Sequence, residues 1–419
     1  MTLLADLLST VFERRYRREA HGPHQDGRPL TALASDLVGS ASETSGLALA
    51  REILSRFGPL PDAQKLNFFR YLATEMNIDP EEVRTRLEDY ERAPSKASYR
   101  AFAEAAEPRR QELIRRLNRV QGATGELVKM RADLLRLGGT EPELAALDLD
   151  FRHLFASWFN RGFLVLRPIS WESPAHILEK IIAHEAVHAI DSWSELRRRL
   201  EPTDRRCFAF FHPAMPDEPL IFVEVALTTG IPGSVQALLA QDRTALPARA
   251  ADTAVFYSIS NCQDGLASIS FGNSLIKQVA ADLAAELPGL KTFVTLSPIP
   301  GLTRWLEQEG LSASAEDPER IRALAAHYLL KAKSSGGLPF DPVARFHLGN
   351  GAVVHAVHAE ADTSDKGRAQ SGGTMVNYLY DLARVEQNHE VFVTSRDVVA
   401  SKPVKALAET ADLTPIQES

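Results

Sequence analysis

TAVFYSIS (253–260), NCQDGLASISFGNSLIKQVAADLAAEL (261–287) and PGLKTFVTLSPIPGLTRW (288–305) form one continuous stretch whose reading decides the fold. Its first eight residues are β-branched, aromatic or small, as in a buried strand. A loop carrying Gly265 and Gly272 follows and opens into a helical pattern. There Leu275 or Ile276, Val279, Leu283 and Leu287 recur at helical spacing. A second strand, Thr292 to Leu296, ends at Ser297, just before Pro298, and a proline-bracketed turn closes the unit. Backbone N–H groups that lead into a helix N-terminus suit phosphate oxygens. The unit therefore predicts a pyrophosphate cradle and, at the end of the next strand, a hydroxyl.

Working outward, the chain changes texture near residue 150. Residues 1–150 read as nearly all helix, for example LALAREILSRFG, AQKLNFFRYLATEM and ELIRRLNRVQ. Asp79-Pro80-Glu81-Glu82 is a helix start, with a capping Asp, Pro in the first turn and acids at the positive end of the dipole. Gly58-Pro59 and Gly138-Gly139 punctuate helices. This half reads as a bundle for packing or oligomerisation, and Arg109, Arg110, Arg115 and Arg116 as a solvated face. Beyond 150, strands are expected at FLVLRPI (163), RCFAFFH (206), PLIFVEVAL (219), AVFYSIS (254) and TFVTLS (292), with helical patterns between several. That alternation predicts an α/β or α+β domain with at least one parallel strand pair. The organisation is 1–150 helical and 151–419 mixed.

Composition narrows the function. A length of 419 residues predicts two domains. A net charge of −8 argues against a nucleic-acid binder. Two cysteines, Cys207 and Cys262, exclude a disulfide framework and a cysteine-only zinc site. Cys262 reads as a small neutral filler. No apolar run is long enough to span a bilayer. The first twenty residues form an Arg-bearing amphipathic segment, read as a plain first helix rather than a transit peptide.

His184-Glu185-Ala186-Val187-His188 matches HExxH, which on a helix would put two imidazoles on one face with a general base between them. Twelve histidines in the chain make a chance match conceivable. The same helix has a structural account, with Leu178, Ile182, Ala189, Trp193 and Leu196 as its apolar stripe. Only Glu201 or Glu218 offers itself as a third ligand, in no recognised context. There is no G-x-S-x-G elbow and no P-loop, and Gly349-Asn350-Gly351 reads as a turn.

FYSISNCQDGL, ISFGNSLIKQV, TLSPIPGLTRWL, PVARFHLGNGAVV and MVNYLY together resemble the successive motifs of the malonyl-CoA decarboxylase family. FASWFNRGFLVLRPISW at 155, the EAVH run and FFHPAMPDEPLIFVEVAL at 210 extend the resemblance over most of the chain. It implies an α+β protein: an all-helical N-terminal domain used in oligomerisation (dimer or tetramer), then a GNAT-like mixed catalytic domain over 151–419. It implies malonyl-CoA as substrate, no cofactor and no metal, and EAVH on an ordinary helix. In the GNAT-type fold the loop would bind the CoA pyrophosphate through Ala267, Ser268, Ile269, Ser270, Phe271, Gly272 and Asn273. His347 matches the family's catalytic histidine and Ser297 its catalytic serine, as a dyad. Tyr380 and Ser258 match positions near the site.

On residues alone, plainer readings stand beside these. The loop is also an ordinary βα turn, His347 between Phe346 and Leu348 a packed strand residue, and Ser297 a strand end or cap. A histidine suits proton delivery because its ordinary pKa lies near working pH. Some family members carry a glutamate where this chain has Ser270, which bears on the proton path. Pro-Ile-Gln-Glu-Ser at the C-terminus lacks a Ser-Lys-Leu address, and a cytoplasmic enzyme is expected. CoA-dependent acyl transfer and a non-catalytic CoA-binding scaffold are the alternatives to decarboxylation.

Overall fold

The computed structural model describes residues 27–269, 275–311 and 317–414. The expected first helix and residues 270–273 of the loop lie outside that range. Two compact units emerge. One comprises residues 1–165 with 211–220 and 263–271, the other 166–210, 221–262 and 272–419.

The first unit is a helical bundle. Glu43–Phe57, Asp62–Thr74 and Arg109–Leu117 match the three quoted segments, and the helix Pro80–Arg92 starts with Asp79 accepting from Glu81 N. Gly58 and Gly138 cap helix ends as their positions predict. The arginine face is exposed at Arg109 as expected and is corrected at Arg110 and Arg116. Arg110 is 3 % exposed, bonds Asp150 at 2.5 Å and reaches the Ala73 carbonyl. Arg116 bonds the carbonyls of Leu37 and Ser40. Both arginines tie helices together instead of facing water, because the bundle leaves carbonyls and Asp150 that would otherwise be buried without partners.

A mixed sheet lies mostly in the second unit. Its strands are β1 Val165–Ile169, β2 Arg205–His212, β3 Met215–Thr228, β4 Thr253–Asn261, β5 Thr292–Thr295, β6 Ser297–Pro298, β7 Val353–His358 and β8 Met375–Leu379. They include all five expected strands. The order runs β1-β2-β3-β4-β5-β8, with β6 and β7 also paired to β8. The parallel pair predicted from the βαβ pattern is β4 with β5, in register from Thr253↔Thr292 to Phe256↔Thr295. The helix Leu275–Glu286 connects them and buries Leu275, Ile276, Val279 and Leu283, the expected stripe.

Two irregularities shape the sheet. β4 shifts register against β3 between Glu224 and Val225, leaving Tyr257 without an opposite residue, so that Ser258 faces Glu224. β5 and β6 are one line interrupted at Leu296: Val294 pairs with Leu379 and Ser297 with Val376 of β8. Leu296 N still donates to the Phe256 carbonyl, the last ladder bond between the lines. Ala226, Val255, Tyr257, Val294, Leu296 and Met375 form the core on one face.

Candidate active site

Ser297, His347 and Tyr380 meet inside the second unit. Asp341-Pro342 starts the helix Pro342–Gly349, the Asp341 carboxylate accepting from Ala344 N at 2.8 Å. Ala344, His347 and Leu348 then share the buried face, three and four residues apart. His347 is thus on a helix, not a strand, and the Asp-Pro start was the overlooked signal. Ser297 is placed by β6, and Tyr380, just past β8, by its backbone N–H to the Phe293 carbonyl.

His347 Nε2 lies 3.2 Å from Ser297 Oγ, and Nδ1 lies 2.8 Å from Tyr380 Oη. Ser297 Oγ donates to Thr295 Oγ1 at 2.8 Å. A serine has one proton. With it directed to Thr295, Nε2 carries hydrogen and donates to Ser297, and Nδ1 accepts from Tyr380. Thr295 Oγ1 also accepts from Tyr378 N. The result is a relay running Tyr380, His347, Ser297, Thr295. The Tyr378 ring stacks on the imidazole, centroids 4.5 Å apart.

Among the described residues no carboxylate bonds the histidine. It is 2 % exposed, and burial pushes it down to about 3. The expectation of an imidazole titrating near neutrality is therefore corrected: the resting ring is neutral. Burial likewise pushes the Tyr380 phenol well above its ordinary value.

Ser258 is bound elsewhere. Its Oγ donates to both Glu185 carboxylate oxygens, at 2.8 and 2.7 Å. Glu185 also accepts from Val187 N and His188 N. Those bonds turn the chain, and the helix Ala175–His184 stops before Glu185. The EAVH segment is not helical, contrary to expectation, and His184 and His188 do not share a helix face. The supposed single stripe is split between this helix and Trp193–Leu200, and Trp193 is exposed. Among the described residues no group of three metal-ligand side chains converges. The motif fails because its glutamate ends the helix that the spacing presupposes.

Of the loop, Ala267, Ser268 and Ile269 are described; Ser270, Phe271, Gly272 and Asn273 are not. Ser268 has φ +62°, a left-handed conformation that costs a non-glycine residue on the order of 1–3 kcal/mol. The preceding turn is pinned to the helix Ala123–Leu137. Arg131 Nη1 donates to the carbonyls of Gly265 and Ala267 at 2.7 and 2.9 Å, while Nε pairs with Asp148. A side chain at Gly265 would run into the Val128 carbonyl. Sequence reasoning missed Arg131, since nothing local marks an arginine that serves a loop more than 130 residues away.

A helical N-terminal region, a mixed sheet and a buried hydroxyl–imidazole–phenol relay define an α+β enzyme. The malonyl-CoA decarboxylase N-terminal domain description matches residues 76–159, and the C-terminal domain description matches 162–319 and 312–417. The mitochondrial malonyl-CoA decarboxylase of Anser anser anser is 34 % identical over 349 residues, covering 71 % of this chain and 69 % of that protein. Crystal structures of malonyl-CoA decarboxylases from Rhodopseudomonas palustris and Agrobacterium vitis are 46 % and 47 % identical. Each has a TM-score of 0.85 and covers 90 % of this chain, with 98 % and 99 % of their own lengths matched. The chain belongs to the malonyl-CoA decarboxylase family. Among the described residues no helix is long and apolar enough to cross a membrane.

Proposed function

We propose that this enzyme converts malonyl-CoA to acetyl-CoA and carbon dioxide, with Ser297, His347 and Tyr380 delivering the proton. The observation that carries the reading is the buried relay, with both imidazole nitrogens partnered. The bond from the α-carbon to the carboxylate breaks, carbon dioxide leaves, and the electron pair is delocalised into the thioester as an enolate. The substrate is its own electron sink. Burial of the relay keeps water from competing and strengthens each hydrogen bond to developing charge.

A neutral imidazole fits this chemistry. A thioester enolate is a far stronger base than imidazole, so the donor has no need of a positive charge. The Ser297 hydroxyl turns from Thr295 to the substrate and gives its proton to the α-carbon. His347 Nε2–H refills Ser297 as Tyr380 gives its proton to Nδ1; after product leaves, one proton from solvent and return of the imidazole to its Nε2–H tautomer restore the relay. Positioning the reacting end is the second contribution. We assign it to CoA anchoring at Ala267–Asn273, supported by the Arg131 clamp on the turn, with Ser258 a weaker candidate because its hydroxyl is committed to Glu185. The helical region serves as the assembly surface of a homo-oligomer.

Release of labelled carbon dioxide from malonyl-CoA without any acceptor, with stoichiometric acetyl-CoA, is the expected result. Turnover only when an amine acceptor is added would establish acyl transfer instead. CoA binding without turnover would make the chain a scaffold.

A further inference from the structure

Beside the first residues of β2, the helix Trp193–Leu200 and residues 239–245 enclose a cavity of about 130 Å³. That is far above the roughly 10–15 Å³ one water needs. Arg198, Arg199, Arg205 and Arg243 all line it, and Arg199 and Arg205 are each 3 % exposed. Three of them are committed. Arg199 bonds Glu195 at 2.5 Å, Glu224 at 3.2 Å and the His188 and Ala189 carbonyls. Arg243 grips Asp204 at 2.5 and 3.1 Å. Arg205 bonds the Leu238 and Asp204 carbonyls and stands 3.6 Å from the same Asp204. Arg198 alone has no hydrogen-bond or ion-pair partner among the described residues.

The charges do not balance. Four guanidinium groups face Glu195, Asp204 and Glu224. An excess of positive charge in a concave, partly buried site is costly unless an anion answers it. Guanidinium forks suit tetrahedral oxyanions, whose several oxygens accept at once.

We propose that this cavity is a binding site for a phosphate group, with Arg198 as its principal donor and Arg199, Arg205 and Arg243 supplying the surrounding field. It adjoins the end of the sheet where β4 begins, since Leu227 N donates to the Asp204 carbonyl and Thr228 pairs with Thr253. β4 then runs nine residues, roughly 30 Å at about 3.3 Å each, away from the cavity toward Asn261 and the loop that follows it. None of the cavity's lining residues belongs to the relay.

The test is calorimetric titration of the full chain with inorganic phosphate, and separately with AMP, at constant ionic strength set by chloride. Saturable one-site binding of either probe is expected, and the tighter one tells a free ion from a phosphate ester. Arg198→Gln should weaken it about tenfold or more, the loss of one charge-assisted bond. Arg197→Gln, at an exposed neighbour paired with Glu201, should leave it unchanged. Matching melting temperatures would establish that both variants fold. Absence of saturable binding, an unchanged Kd in Arg198→Gln, or equal weakening in both variants would overturn the proposal.

Discussion

Two histidines inside the second unit show how burial alone fails to define a site. His347 and His188 are both pushed down by desolvation, to about 3 and about 4. His347 nevertheless has a partner on each nitrogen, in a neutral chain of hydroxyls. His188 has no partner on Nε2 among the described residues, and its surroundings are charged: Asp362, Arg199 and Lys366. The first environment can pass a proton without creating ions at rest. The second holds a network in which Glu185 ends a helix and Arg199 ties Glu224 and Glu195 to the His188 and Ala189 carbonyls. Proton delivery needs partnered nitrogens, and among the described residues Nε2 of His188 in the HExxH match has no partner.

Substitutions sharpen that contrast, the largest effect first. His347→Ala should lower kcat by about 10²–10⁴-fold while CoA affinity, measured by calorimetry, changes little; an equal loss of both would make the residue structural. Ser297→Ala should follow closely, by about 10²-fold or more, whereas near-native turnover would remove it from the relay. Tyr380→Phe removes the donor to Nδ1 and should cost about tenfold in kcat, with KM held. His188→Ala should leave turnover within about twofold, and a chelator should have no effect on any of these rates. Loss of activity on either treatment would restore the metal reading of EAVH.

The pH dependence of stability separates the two environments by sign. The folded pKa of His347 is about 3, below the ordinary 6.5, so the unfolded chain binds more protons between those values. Its contribution is therefore lost as pH falls from 6.5 toward 3, with a limiting slope of about 1.4 kcal/mol per pH unit. Glu224 runs the other way. Raised to about 8 from 4.5, it is protonated in the folded state, and stability is lost as pH rises from 4.5 through 8. Denaturant melts of His347→Asn and Glu224→Gln should flatten the acid and the alkaline limb respectively. Parallel curves for wild type and variants would show that neither group is shifted.

Much of this protein was legible in its sequence because the deciding signals are local. Asp79-Pro80 announces a helix through capping chemistry contained in four residues, and the stripe on Leu275–Glu286 follows from its own spacing. The strands from 163 to 296 follow from runs of β-branched and aromatic residues, and the motifs around Ser297, His347 and Tyr380 point to the family. The local signal failed where a distant partner intervened. Glu185 leaves its helix for Ser258, 73 residues away, and Arg110 abandons water for Asp150. Only the tertiary structure placed Arg131 on the turn at Gly265 and assigned the proton order from Tyr380 to Thr295. It alone made His347 neutral, because desolvation depends on everything that surrounds a group, and a linear string does not specify those neighbours.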